Sequence, residues 1–181
     1  MKTIPVVAAV GALLLAACET IPVGPVGDAT TEVYRSHGGQ VAAPARIAVA
    51  PVDLARSGDP VLSAYVGAVA AELSRQGFTP VGDIGMAELL ASVDVRTGSA
   101  GELAMTGPAP LRAQTTLVAP APATALIVQI SRRHDGVGLW QGRAISQMQP
   151  RAGDLAALSM PLARALFADF PGESGRTIRS R

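Results

Sequence analysis

Thr124-Ala-Leu-Ile-Val-Gln-Ile-Ser-Arg-Arg133 is the strongest strand signal in the chain. Its apolar run, Ala125 to Ile130, suits a central strand covered on both faces. His134-Asp-Gly-Val-Gly138 reads as a turn, and Leu139 to Met148 runs back as the partner strand. Beyond Pro150, Leu155, Leu158, Leu162, Ala165 and Leu166 share one helical face. Pro161 is tolerated only near a helix start or at a kink, so a kinked helix or a start near Ser159 is expected. Phe170-Pro171-Gly172 stops the helix.

Upstream, Thr30 to Ser36 and Arg46 to Val52 read as strands. In the second, Ile47, Val49 and Pro51 face one way and Ala48, Ala50 and Val52 the other. Asp59 is an N-cap, Pro60 fits the first turn, and Leu62, Tyr65, Val66, Val69 and Leu73 fall at helical spacing. Gly77 closes that helix and Phe78 to Val81 returns as a short strand. Met86 to Arg96 divides between a helical turn and, from Ala91, a strand. The expected order is β-β-α-β-β-β-β-α. It implies one small α+β (or α/β) domain, with a mostly antiparallel sheet and two helices on one face. Residues 97–123, punctuated by Gly98, Gly101, Gly107, Pro108, Pro110, Pro120 and Pro122, read as a long mobile loop or a partner-docking loop. The tail, residues 176–181, is expected to fray.

Composition narrows the function classes. The chain has 181 residues, room for one domain, with 15 Lys+Arg against 14 Asp+Glu. That balance argues against a general grip on nucleic acid, and six aromatic residues are too few for a base-stacking platform. The 49% hydrophobic content excludes wholesale disorder, although 33 alanines supply much of it. A single cysteine excludes an intrachain disulfide and every multi-cysteine metal site.

That cysteine lies near the start. Met1-Lys2 precedes an apolar run from Ile4 to Ala17, too short for a spanning helix of about 20 residues and fit for a secretory signal. The run ends in Leu15-Ala16-Ala17-Cys18, which resembles a bacterial lipobox: small side chains admit a peptidase, and the thiol takes a thioether-linked diacylglycerol. Residues 1–17 are therefore expected to be a signal peptide. Cys18 becomes the lipidated N-terminus, carrying diacylglycerol and an N-acyl chain, and no other cofactor is expected. Cleavage removes the only lysine, leaving 14 arginines against 14 acidic residues. Two or more chains make anchoring effectively permanent. Glu19 after the cysteine resembles the sorting pattern for the outer membrane, facing the periplasm. Residues 18–29 contain Pro22, Pro25, Gly24 and Gly27 and read as a tether; its eleven residues after Cys18 span at most about 36–40 Å. The domain proper is then 30–175.

Two segments resemble a family. Ser131-Arg132-Arg133-His134-Asp135-Gly136, leading into Leu139-Trp140-Gln141-Gly142-Arg143-Ala144, is the first. Ala165-Leu166-Phe167-Ala168-Asp169-Phe170-Pro171-Gly172-Glu173-Ser174-Gly175-Arg176-Thr177 is the second. With the lipobox and tether they resemble small proteobacterial envelope lipoproteins that share a domain of unknown function. The resemblance implies no catalytic residues.

The residues themselves offer little chemistry. His37 and His134 are the only histidines, in Ser-His-Gly-Gly and in the turn beside Asp135. Gly172-Glu173-Ser174-Gly175 is not a nucleophile elbow. Asp83, Glu88, Asp94 and Glu102 form no metal-ligand spacing, and Asp53 and Asp59 suit a turn and a cap. Arg132 and Arg133 form a cationic doublet able to meet an anionic ligand or lipid headgroup, although on a strand they point to opposite faces. With Trp140, they are the candidate partner contacts. Trp140, the sole tryptophan, equally suits the core between sheet and helix. The expectation is a non-enzymatic binding or scaffold domain near the membrane, with an envelope protein partner and no nucleic acid. A periplasmic carrier of a small apolar or lipidic ligand, with its pocket between sheet and helices, is the alternative.

Overall fold

The computed structural model describes residues 31–105, 122–148, 154–175 and 177–180. The signal peptide, Cys18 and the tether lie outside the described residues. Among the described residues, seven strands form one sheet: β1 (Thr31–His37), β2 (Arg46–Pro51), β3 (Thr79–Val81), β4 (Leu89–Ser99), β5 (Pro122–Arg132), β6 (Gly138–Ser146) and β7 (Thr177–Ser180). Among the same residues, three α-helices, α1 (Pro60–Arg75), α2 (Ala100–Met105) and α3 (Ser159–Phe167), complete a small α+β domain. The spatial order is β3-β2-β4-β5-β6-β1-β7. β2 pairs parallel with β3 and β4, and the other pairings are antiparallel.

Local chemistry explains the elements that the chain announces. Asp59 accepts from the N–H groups of Val61 and Leu62, satisfying donors that the first helical turn leaves open. Gly77 takes φ +90°, and Phe78 turns into the core behind it. α3 starts at Ser159, after a 3₁₀ turn (Leu155–Leu158) capped by Asp154, so Pro161 sits within its first turn.

The structure adds to or departs from expectation in three places. First, the two expected helices, α1 and α3, do share one face of the sheet, and a third helix, α2, covers the other. Alternation along β5 sends Leu126, Val128 and Ile130 toward α1 and α3, whereas Ala123 and Ala125 join Leu103, Ala104 and Ile145 under α2. Second, the supposed loop over 97–123 is partly regular: β4 runs to Ser99, α2 follows, and β5 begins at Pro122. Residues 106–121 lie outside the described residues. Continuous pairing from Leu89↔Arg132 to Ser99↔Pro122 overrides the weak strand preference of Gly98. Ser99 and Glu102 then cap α2 reciprocally, the Ser99 hydroxyl accepting from Glu102 N–H and the carboxylate from Ser99 N–H. Third, the tail does not simply fray: Thr177–Ser180 pairs with the outer side of β1, aided by the Arg179–Glu32 ion pair at 2.8 Å. The ladder satisfies backbone groups that β1 would otherwise leave open on that side. The Met86–Arg96 division also shifts, to a 3₁₀ turn over Ile84–Met86 and a strand from Leu89.

The main core lies between the sheet and the α1/α3 layer. Trp140 stacks on Phe167 with ring centroids 5.4 Å apart and meets Phe170 at 5.2 Å, while Phe78 meets Phe170 edge-on at 5.9 Å. Tyr65 is fully buried, and its hydroxyl donates to the Leu155 carbonyl at 2.9 Å. Burial pushes its pKa up to about 12.

Candidate functional site

The hairpin and the C-terminal segment meet in one seam. Trp140 Nε1 and His37 Nε2 both lie 3.0 Å from the Pro171 carbonyl oxygen; the indole donates to it. Gly142 lets the Trp140 ring lie flat on β6: a Cβ there would stand 2.3 Å from Trp140 Cη2 and 2.7 Å from Leu166 Cδ1. Across the strand pair, Arg35 faces Gly142 and is buried, with its side chain only 2% exposed. Its guanidinium donates to the Leu166 carbonyl at 2.9 Å and the Ala165 carbonyl at 3.2 Å, and pairs with Asp169 at 2.6 Å. These bonds satisfy carbonyls at the end of α3 with a cation suited to the negative end of the helix. Gly172, at φ +73°, passes so close to Arg35 that a Cβ would meet its Cδ at 2.8 Å. Gly175 N–H donates to the Arg35 carbonyl at 2.8 Å. The Phe170-Pro171-Gly172 segment is thus a clasp that closes the domain over Trp140. Trp140, itself 2% exposed, presents no surface to a partner.

Arg132 and Arg133 lie at the turn of the hairpin and behave differently. β5 ends at Arg132 and the chain turns at Arg133, so strand alternation does not extend across the pair, and both residues line one cleft. The cleft has a volume of about 550 Å³ and is walled by Val41, Met86, Leu89 and Leu139 beside Arg46, Glu88 and His134. Arg46, the first residue of β2, comes alongside because Glu88 N–H donates to its carbonyl at 2.9 Å as the chain crosses from β3 to β4. Arg133 N–H donates to the Glu88 carbonyl at 3.0 Å, and its Nε donates to the Ala87 carbonyl at 2.6 Å. Arg132 pairs with Asp135 at 2.6 Å, and Arg46 with Glu88 at 3.1 Å. Asp135 has its pKa lowered, chiefly by the Val137 N–H and further by Arg132 and His134 nearby. Arg133 forms no ion pair among the described residues. Three guanidiniums therefore face two carboxylates at this end of the sheet.

The remaining candidates serve the fold. Asp53, Asp59 and Asp83 cap helical turns, Glu102 caps α2, and Asp94 pairs with Arg96 at 2.7 Å. No group of three or more metal-ligating residues occurs among the described residues. Ser174 accepts from His37 N–H at 3.1 Å, a backbone contact rather than a nucleophile–base pair. No helix among the described residues is long and apolar enough to cross a membrane. Arg46, Val41 and Leu139 as cleft walls escaped the sequence reading. Their only signal is Arg46 opening a strong strand, and its parallel pairing is not written locally.

Neither a protein-family model nor a curated protein matches the chain. Among solved structures, it is similar to a PelC dodecamer subunit from Paraburkholderia phytofirmans at 11% identity and TM-score 0.45, covering 76% of this chain and 95% of that one. A PDZ domain protein from Parabacteroides distasonis gives 12% identity and TM-score 0.49, covering 84% of this chain and 39% of that one. A DUF4136 family protein from Bacteroides thetaiotaomicron gives 11% identity and TM-score 0.44, covering 75% and 93%. At these values the likenesses bear on neither chemistry nor partners.

Proposed function

We propose that the chain is a lipid-anchored envelope protein whose domain binds rather than catalyses, held at the outer membrane on its periplasmic side by acyl chains on Cys18. The resemblance to small envelope lipoproteins belongs to the same reading. The observation that carries it is Leu15-Ala16-Ala17-Cys18, in register with a basic start and a 14-residue apolar run from Ile4 to Ala17. The fold is compatible with such a tether. Thr31 opens β1 in the row of Ser146 and Thr124, eight residues along β5 from Arg132, about 26 Å at the strand rise. A chain anchored ahead of Thr31 presents the cleft at the far end of the sheet. The carrier reading needs room between sheet and helices, where Trp140, Phe167 and Leu166 pack with 2% exposure or less; the binding reading is therefore preferred. The test is metabolic labelling with palmitate. The native chain is expected to take label, and Cys18→Ser to lose it and accumulate unprocessed; label persisting on Cys18→Ser would sink the anchor.

A further inference from the structure

We propose that the cleft between the start of β2, the β3–β4 crossing and the β5–β6 turn is a binding site for a phosphate monoester. The inference deepens the binding reading by naming its ligand class. Three observations converge. The volume of about 550 Å³ is that of a small-molecule site. Its rim gathers Arg46, Arg132 and Arg133 from parts of the chain up to 87 residues apart, so the charge is concentrated by folding and not by a basic run. The state of each arginine is the third observation. Arg132 and Arg46 are each held by one carboxylate, which orients them and leaves further donors. Arg133 is fixed at Nε by the Ala87 carbonyl and meets no carboxylate among the described residues, so its two terminal nitrogens are a preset fork without a counter-charge.

The chemistry selects the ligand. Guanidinium forks bind oxyanions in a bidentate manner, and a compact ammonium does not. A carboxylate offers two oxygens and one charge, enough for one fork. A phosphate monoester offers three terminal oxygens and up to two charges, enough to engage Arg133 and a neighbouring arginine together. Val41, Met86, Leu89 and Leu139 supply an apolar wall for the esterified body. A polynucleotide fits poorly: among the described residues that line the cleft there is no Trp, Tyr or Phe for bases to stack on. The phosphate can belong to a soluble molecule or to a phosphatidic headgroup, and the experiment separates them.

The full chain in detergent is titrated calorimetrically with glycerol phosphate, with glycerol, with short-chain phosphatidic acid and with a single-stranded oligonucleotide. Saturable binding of glycerol phosphate but not glycerol is expected. Arg133→Ala should weaken it by about tenfold or more, and Arg133→Lys should restore only part, because the fork is lost. Arg164→Ala, removing an exposed charge on α3, should leave it unchanged. Short-chain phosphatidic acid binding more tightly, with the same dependence on Arg133, assigns the site to a headgroup; equal affinity assigns it to a soluble ester. Absence of saturable binding at millimolar phosphate ester, equal weakening by Arg164→Ala, or preference for the oligonucleotide overturns the proposal. None of these results alters palmitate labelling at Cys18, so the anchor and the site fail separately.

Discussion

One hairpin carries two regions of opposite character. At its turn, Arg132 and Arg133 stand at the rim of an open cleft; on the returning strand, Trp140 is sealed beneath Pro171. In the sealed seam, polar groups are consumed internally: the indole N–H by Pro171, and the Arg35 guanidinium by Leu166, Ala165 and Asp169. In the cleft, Arg133 is oriented by a carbonyl yet keeps donors to spare. The two regions divide the work. The aromatic and glycine positions hold the last helix on the sheet, whereas the arginines ahead of them contribute charge to a surface.

The contrast predicts unequal losses. Trp140→Ala should cost the most, about 3–5 kcal/mol by urea denaturation, because it leaves a cavity against Phe167 and Phe170. A cost below about 1 kcal/mol would abolish the distinction between seam and cleft. Alkaline pH should come next. The pKa of Tyr65 is raised by burial from 10.0 to about 12, so the folded state holds its proton where the unfolded chain loses it. Its contribution is complete below pH 10 and is lost as pH rises toward 12, amounting to about 2–3 kcal/mol. Tyr65→Phe should flatten that part of the stability–pH curve. An unchanged curve would mean that the hydroxyl is not sealed beneath Leu155. Arg133→Ala should cost least, about 1 kcal/mol in stability for the lost bond to the Ala87 carbonyl, while weakening phosphate-ester binding by about tenfold or more. A larger stability loss would make Arg133 another clasp residue and merge the two regions.

What could be read from sequence followed from how far apart the determining residues lie. The Asp59 cap, Pro60, the Gly77 stop and the hairpin run are signals within one or two turns of chain, and each element formed around them. The Ser99–Glu102 capping box was equally local, but it stood among glycines and prolines that argued for a loop. β7 carried almost no signal, since Thr-Ile-Arg-Ser becomes a strand only where β1 offers it a ladder. The arginine doublet was visible as a doublet. Its convergence on one cleft was not, because alternation holds only while the strand lasts, and β5 ends at Arg132.

By itself, the sequence determined the α+β character, the pairing of β5 with β6 and the helices α1 and α3, because apolar periodicity and capping act over a few residues. Only the tertiary structure decided that α2 covers the opposite face, that Gly142 and Gly172 make room for Trp140 and Arg35, and that Arg46 joins Arg132 and Arg133. Those outcomes depend on which strands become neighbours. Neighbourhood is settled by total burial and by backbone hydrogen bonds closed over long loops, quantities that no short stretch of residues contains.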